Sequence, residues 1–150
     1  MKFRKAKKTD VYYIVELLAT DKLGQLREQF ETPLPPCYFE AFEQINNDSN
    51  QELMVIEDSD NSIIGTLQLS FIPYLTYRGG IRAQIEAVRI RQDKRGQGIG
   101  EAIFNWAIDR AKVRGAHLIQ LTTDKKRPDA IRFYEKLGFK ATHEGMKLHF

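Results

Sequence analysis

The run Arg95-Gly96-Gln97-Gly98-Ile99-Gly100 carries the residues of this chain best suited to holding an anion. Glycines at alternate positions let the backbone approach a ligand closely and adopt dihedrals closed to other residues, so that successive N–H groups converge on one charge. Ile99, Ile103, Trp106, Ala107, Arg110 and Ala111 then keep helical spacing. The start of that helix adds unpaired N–H groups and the positive end of its dipole, and Arg95 adds a full charge. A tight strand-to-helix turn would use the same glycines, so the surroundings must decide. Two nucleotide fingerprints fail here. A P-loop needs Lys-Ser or Lys-Thr after its last glycine, where this chain reads Glu101-Ala102-Ile103. A dinucleotide fold needs G-x-G-x-x-G near the start of a βαβ unit, whereas this spacing is G-x-G-x-G well into the chain.

The elements that must position the loop follow from periodicity. Lys2 to Ala6 reads as a strand, and Thr9 and Asp10 offer N-caps to a helix with Val11, Ile14, Val15, Leu17 and Leu18 on one face. Asp21 to Pro36 reads as an ordered excursion ending in Pro33-Leu34-Pro35-Pro36, and a second helix from Pro36 to Ile45 buries Phe39 and Phe42. Leu53 to Glu57 and Ile63 to Tyr74 form a hairpin around Asp58-Ser59-Asp60-Asn61. Ile81 to Arg91 is a strand in which Ile85, Ala87 and Arg89 alternate with Glu86, Val88 and Ile90. After the glycine loop the helix ends at Gly115, and His117 to Thr123 is a strand parallel to the previous one through a right-handed crossover. Asp129 caps a helix carrying Ile131, Phe133, Tyr134 and Leu137, and Phe139 to Thr142 with Met146 to Phe150 make a terminal hairpin. The order is β-α-α-β-β-β-α-β-α-β-β, an α/β (α+β mixed sheet) fold with helices on its faces.

At 150 residues the chain reads as a single domain, 1–150, long enough to bury roughly two-thirds of its unfolded surface. With 42% hydrophobic and 29% charged residues it is of ordinary globular composition, with no low-complexity segment. Cys37 is the only cysteine, which excludes an internal disulfide and, with His117, His143 and His149 scattered, leaves no metal-ligand spacing. No run approaches the ~20 apolar residues of a membrane span, and the N-terminus lacks a signal-peptide pattern. A cytoplasmic protein without a membrane partner is expected. The net charge of +3 is too slight to imply nucleic acid, and no aromatic-basic interleaving accompanies it.

Arg95-Gly96-Gln97-Gly98-Ile99-Gly100 fits the [Q/R]-x-x-G-x-[G/A] acetyl-CoA signature of the GNAT superfamily of N-acetyltransferases, and Phe133-Tyr134-Glu135-Lys136-Leu137-Gly138-Phe139 resembles its C-terminal helix-to-strand motif. The element order is similar to that fold along the whole chain, with Asp21 to Asn50 the least informative part. The resemblance implies acetyl-CoA as co-substrate, a small-molecule amine as acceptor and a homodimer as an assembly common in the family. It implies cofactor contacts from Val88, Arg89 and Ile90 along the strand and from Arg95, Gly96, Gln97, Gly98, Ile99, Gly100 and Glu101 in the loop. Many relatives have an asparagine in the loop before the final helix, which this loop lacks; the resemblance leaves Thr123, Asp124 or Asp129 to take over its polar contacts, with Lys125 and Arg127 drawing the nucleotide phosphates. A backbone N–H near Val88 would polarise the thioester carbonyl.

Two side chains then have catalytic parts. Glu86 is the candidate base: alternation sets it on one face with Val88, and burial would raise its pKa towards neutrality. Ordering water or binding the substrate cation is its plainer alternative. Tyr134 stands where the family's tyrosine protonates the departing thiolate, packing being the alternative. Glu86 and the acidic stretch from Asp21 to Glu31 favour a small cationic acceptor over a peptide. A weak acyl-CoA sensor and a protein N-acetyltransferase are the competing readings.

Overall fold

The computed structural model describes residues 1–21 and 24–150. Five strands form one sheet in sequence order, β1 (Lys2–Lys5), β2 (Gln51–Glu57), β3 (Ile63–Pro73), β4 (Ile81–Ile90) and β5 (Leu118–Leu121). The first four run antiparallel and β5 lies parallel to β4. That parallel step needs a crossover, which α4 (Ile99–Val113) supplies. Helices α1 (Val11–Ala19) and α2 (Pro36–Asn47) precede β2, a left-handed turn, α3 (Thr76–Gly79), joins β3 to β4, and α5 (Pro128–Lys136) follows β5.

The period of two along each strand gives the sheet two faces with separate cores. On one, Met54, Ile56, Leu67, Leu69, Phe71, Ala83 and Ile85 pack on Ile103, Phe104, Ala107 and Ala111 of α4, with Phe133 and Tyr134 of α5 at its margin. Ile103 is wholly buried, so its truncation to Ala should cost about 2–5 kcal/mol. On the other face Val55 and Leu53 meet Val11, Ile14 and Val15 of α1 and Phe42 of α2. Past those helices this second face turns polar. Gln68 donates to Gln51 at 3.0 Å, Ser70 donates to Gln51 at 2.7 Å, and Gln120 donates to Gln84 at 2.7 Å.

An ion cluster fixes α4 to β2. The buried Glu52 carboxylate accepts from Arg110 at 2.6 and 2.8 Å and from Arg114 at 2.8 Å. Burial pushes the Glu52 pKa upward, but the two guanidiniums outweigh it and hold the group below the ordinary carboxylate value.

Three expectations are corrected. Among the described residues no strand follows β5, so the terminal hairpin is not formed. Phe139 is the last side chain to pack on the core, while Met146, Leu148 and Phe150 are exposed. A two-stranded hairpin with no buried face lacks the packing that stabilises it in water. The second correction concerns α5, whose first helical residue is Pro128 after an Arg127 cap. Proline suits that position because its missing N–H would be unpaired anyway, and Asp129 pairs instead with Arg132. The third is that Asp10, although it precedes α1, makes no cap bond to it. Its carboxylate is taken by Arg4 and the Lys7 N–H.

Candidate active site

The sheet opens beside the glycine loop. The β4–β5 ladder runs from Arg82 opposite Leu118 to Ile85 opposite Leu121 and ends there, while β4 continues to Ile90. Residues 86–90 thus leave one edge of β4 without a strand partner on the β5 side among the described residues. An extended amide-bearing ligand can add to such an edge as a further strand does.

A β-bulge lies within this free segment. Glu86 pairs opposite Gln68 and Arg89 opposite Thr66, so Leu67 alone faces both Ala87 and Val88. Ala87 takes a positive φ of 54°, an uncommon conformation for a residue with a Cβ. The extra residue reverses the parity of the strand. Val88 and Ile90 join Ile85 on the α4 face, whereas Glu86 and Arg89 share the face of Gln68 and Thr66. The expected alternation of Glu86 with Val88 is therefore overturned. Glu86 is also exposed, so the expected burial is absent.

A cleft of about 430 Å³ is lined by Val88, Ile90, Arg95, Gly96, Gly98, Gly100, Glu101, Phe104, Phe133 and Tyr134. Gly96 and Gly98 have φ of 75° and 77°, so both occupy the left-handed region that favours glycine. Gly98 is the N-cap of α4 and Gly100 lies in its first turn, so the unpaired N–H groups of that turn open onto the cleft. Arg95 is exposed, with Nε donating to the Ile90 carbonyl at 3.2 Å. Gln97 turns back to donate to the Asp93 carbonyl, and Ile99 packs on the core. Thr123 and Asp124 lie in the loop after β5 and do not line this cleft, and the Asp124 carboxylate accepts the Lys126 N–H at 2.8 Å.

Tyr134 sits among aromatic rings, with centroids 5.3 Å from Phe104, 5.6 Å from Phe133 and 6.2 Å from Phe139. Burial raises its pKa above the ordinary tyrosine value, and the charges of Arg127 and Arg89 pull weakly the other way. The hydroxyl therefore keeps its proton throughout the neutral range.

The acidic stretch that favoured a cationic acceptor is occupied by internal partners. Asp21 pairs with Arg89 at 3.5 Å and with Arg127. Glu28 pairs with Arg27 and accepts from the Tyr38 hydroxyl, and Glu31 accepts from the Gln29 amide. Lys22 and Leu23 in that stretch lie outside the described residues. No side-chain pattern in the sequence indicated the Asp21–Arg89–Arg127 cluster, whose members stand far apart in the chain.

A larger hollow of about 780 Å³ lies between α1 and the β2–β3 turn, lined among others by Arg4, Asp10, Tyr13, Glu16, Arg91 and Asp93. Four of its charges are paired internally, Arg4 with Asp10 and Arg91 with Asp93. It holds no glycine loop, and at the head of α1 that borders it the Asp10 carboxylate is already taken by Arg4 and the Lys7 N–H, so size alone does not make it the reactive site.

Comparison with known proteins settles the lineage. The model of the acetyltransferase (GNAT) family matches residues 20–139. The chain belongs to that family. The crystal structure of a transcriptional regulator from Bacillus halodurans C-125 is 56% identical over 99% of each chain, with a TM-score of 0.95. The aminoalkylphosphonate N-acetyltransferase of Salmonella typhimurium is 33% identical over 56% of this chain and 54% of its own length. The glucosamine 6-phosphate N-acetyltransferase of Trypanosoma brucei brucei is 31% identical over 57% of this chain and 56% of its own length. This GNAT chain thus spans about half the length of these curated relatives. The mixed sheet, the crossover through α4 and the opening beside β4 are the GNAT fold as this chain builds it.

Proposed function

We propose that this chain is an acetyl-CoA-dependent N-acetyltransferase whose acceptor is the primary amine of a small molecule, cationic at its amino group. The observation that carries the reading is the continuity of one cleft from the left-handed glycines at the head of α4, along the free edge of β4, to the Tyr134 ring. Acetyl-CoA fits these residues: the loop offers N–H donors and Arg95 to a pyrophosphate, and Val88, Ile90, Phe104 and Phe133 offer apolar walls to a pantetheine arm. The named relatives, which act on an aminoalkylphosphonate and on glucosamine 6-phosphate, support a small amine.

Acetyl-CoA supplies a thioester whose acyl carbon accepts the amine and whose sulfur leaves. The chain's part is to bind, orient and move protons. The Val88 backbone lies on the free edge, where an N–H can stabilise charge developing on a carbonyl oxygen. The Tyr134 hydroxyl, kept protonated by burial, donates to the leaving sulfur. Glu86, exposed on the polar face, takes the proton of the incoming ammonium directly or through water. The proposal extends to one domain over 1–150 in the cytoplasm, a reducing compartment that suits the lone, exposed Cys37.

Thermal shift with acetyl-CoA and thiol release over a panel of amines test this. A rise in Tm with acetyl-CoA and amine-dependent thiol release are expected. A rise without turnover on any amine would leave an acyl-CoA sensor. Duplex DNA forms a further arm because of the 56% identity to a protein described as a transcriptional regulator. Salt-sensitive binding of DNA with no response to acetyl-CoA would overturn the proposal.

A further inference from the structure

Behind Tyr134, on the polar face of the sheet, two arginines share one carboxylate. Arg89 follows Val88 on β4, and the bulge at Ala87 turns its side chain towards the end of α1. Its Nη1 donates to the Val88 carbonyl at 2.7 Å and its Nη2 reaches Asp21 at 3.5 Å. Its Nε is buried and has no partner among the described residues. Arg127, the cap of α5, comes from the opposite side to pair with the same Asp21 oxygen.

Charge and donor counts do not balance here. Two guanidiniums face one carboxylate, which leaves a net single positive charge on a cluster whose side chains are only 12%, 35% and 18% exposed for Arg89, Arg127 and Asp21. Each guanidinium carries five donors in a planar fork, and most find no acceptor in the bonds described. Burial depresses the pKa of Arg89 and Asp21 only partly offsets this, the sign of a cation short of compensating charge. A compact oxyanion with several acceptor oxygens would satisfy both forks in a way that one carboxylate does not. The cluster also adjoins the reacting end of the cleft, since Arg89 bonds the Val88 carbonyl and both arginine charges act on Tyr134.

We propose that Arg89 and Arg127 bind an anionic group of the acceptor, so that the amine acetylated by this enzyme carries a phosphonate, phosphate or carboxylate on the same small molecule. Asp21 holds the two forks in place when no acceptor is bound. Glu86 shares this sheet face and suits the ammonium end of such a zwitterion. The inference rests on the acetyl-transfer reading and names the acceptor class for it.

The test compares 2-aminoethylphosphonate with propylamine and putrescine, using the full chain. Hydrogen bonds to a charged partner should favour the phosphonate over propylamine by at least about tenfold in kcat/KM. Arg127→Gln removes a partly exposed side chain and should fold, and it should raise KM for the phosphonate about tenfold more than KM for propylamine, while Arg127→Lys restores part of the difference. A purely structural clamp would lower Tm in Arg127→Gln without changing the preference among amines, and that result overturns the inference. So does faster thiol release with propylamine or putrescine, which leaves acetyl transfer standing. If acetyl-CoA neither raises Tm nor loses thiol, the function reading fails. The anion site is then read by whether 2-aminoethylphosphonate raises Tm in the parent and less in Arg127→Gln, and the absence of that difference overturns the inference.

Discussion

Gly98 and Gly100 lie two residues apart in the same loop, yet alanine at the two positions should act in opposite directions. Gly98 has φ of 77°, and a Cβ built there meets nothing within 4 Å, so its substitution tests backbone strain alone. Holding an alanine in the left-handed region costs about 1–2 kcal/mol, while the stiffer unfolded chain returns about 0.4–1 kcal/mol. The net destabilisation is about 1 kcal/mol, which for a chain of this size lowers Tm by about 3 °C. Gly100 lies inside α4 at an ordinary φ, and a Cβ there meets Ile90 Cδ1 at 3.4 Å and Phe133 Cζ at 3.6 Å. Replacing a helical glycine gains about 0.5–1 kcal/mol, or about 2 °C. Acetyl-CoA at about a hundred times its Kd adds about 2.7 kcal/mol to the native state, a rise of about 8 °C on the same scale. If Gly98→Ala turns the N–H groups away and weakens affinity tenfold, about 1.4 kcal/mol is lost and the rise halves. Differential scanning calorimetry with and without acetyl-CoA reads all four quantities. A Gly98→Ala protein with the parent Tm and the full acetyl-CoA rise would refute the argument from the loop dihedrals.

Tyr134→Phe should lower kcat about a hundredfold or more with little change in the acetyl-CoA Tm rise, and stopped-flow thiol release checks it; unaltered turnover would leave the ring a packing role. Glu86→Gln should lower kcat/KM more at low pH than at high pH, and a ratio constant across the pH range removes Glu86 as the base. Acid stability depends on carboxylates held below their ordinary values by arginines, Glu52, Asp10 and Asp21. For a depressed pKa the stabilisation is present above the unfolded value and disappears as pH falls through the folded one, so Tm should drop as pH falls below about 4.5. Glu52→Gln should lower Tm at pH 7 and flatten the decline below pH 4.5, and a parallel decline would count against the Glu52 cluster as its source.

The loop, the order of the strands and of the longer helices as far as α5, and the crossover through α4 were legible because each depends on neighbours in sequence. Gly96 and Gly98 announce left-handed backbone through residue type, and the apolar spacing from Ile99 to Ala111 announces the helix behind them. The bulge was not legible: Ala87 carries no turn signal, and its positive φ arises because β3 offers one residue against two. That single insertion reversed the faces of Val88, Arg89 and Ile90 relative to Glu86, so an argument from strict alternation gave Glu86 the wrong neighbour. The terminal segment failed for the opposite reason. Met146, Leu148 and Phe150 alternate as a strand would, but alternation yields a strand only where a buried face receives it.

By itself the sequence determined where the backbone can bend left-handed, which helix begins behind the glycines, and which aromatic side chains follow β5, since these are local choices of dihedral and spacing. Only the tertiary structure decided that β4 outruns β5 to leave a free edge, that Arg89 turns away from Val88, and that Asp21 and Arg127 meet it. Those features depend on register and on pairs separated by up to 106 residues. A contact at that separation forms because the sheet and its two faces bring the elements together, and no local preference records it.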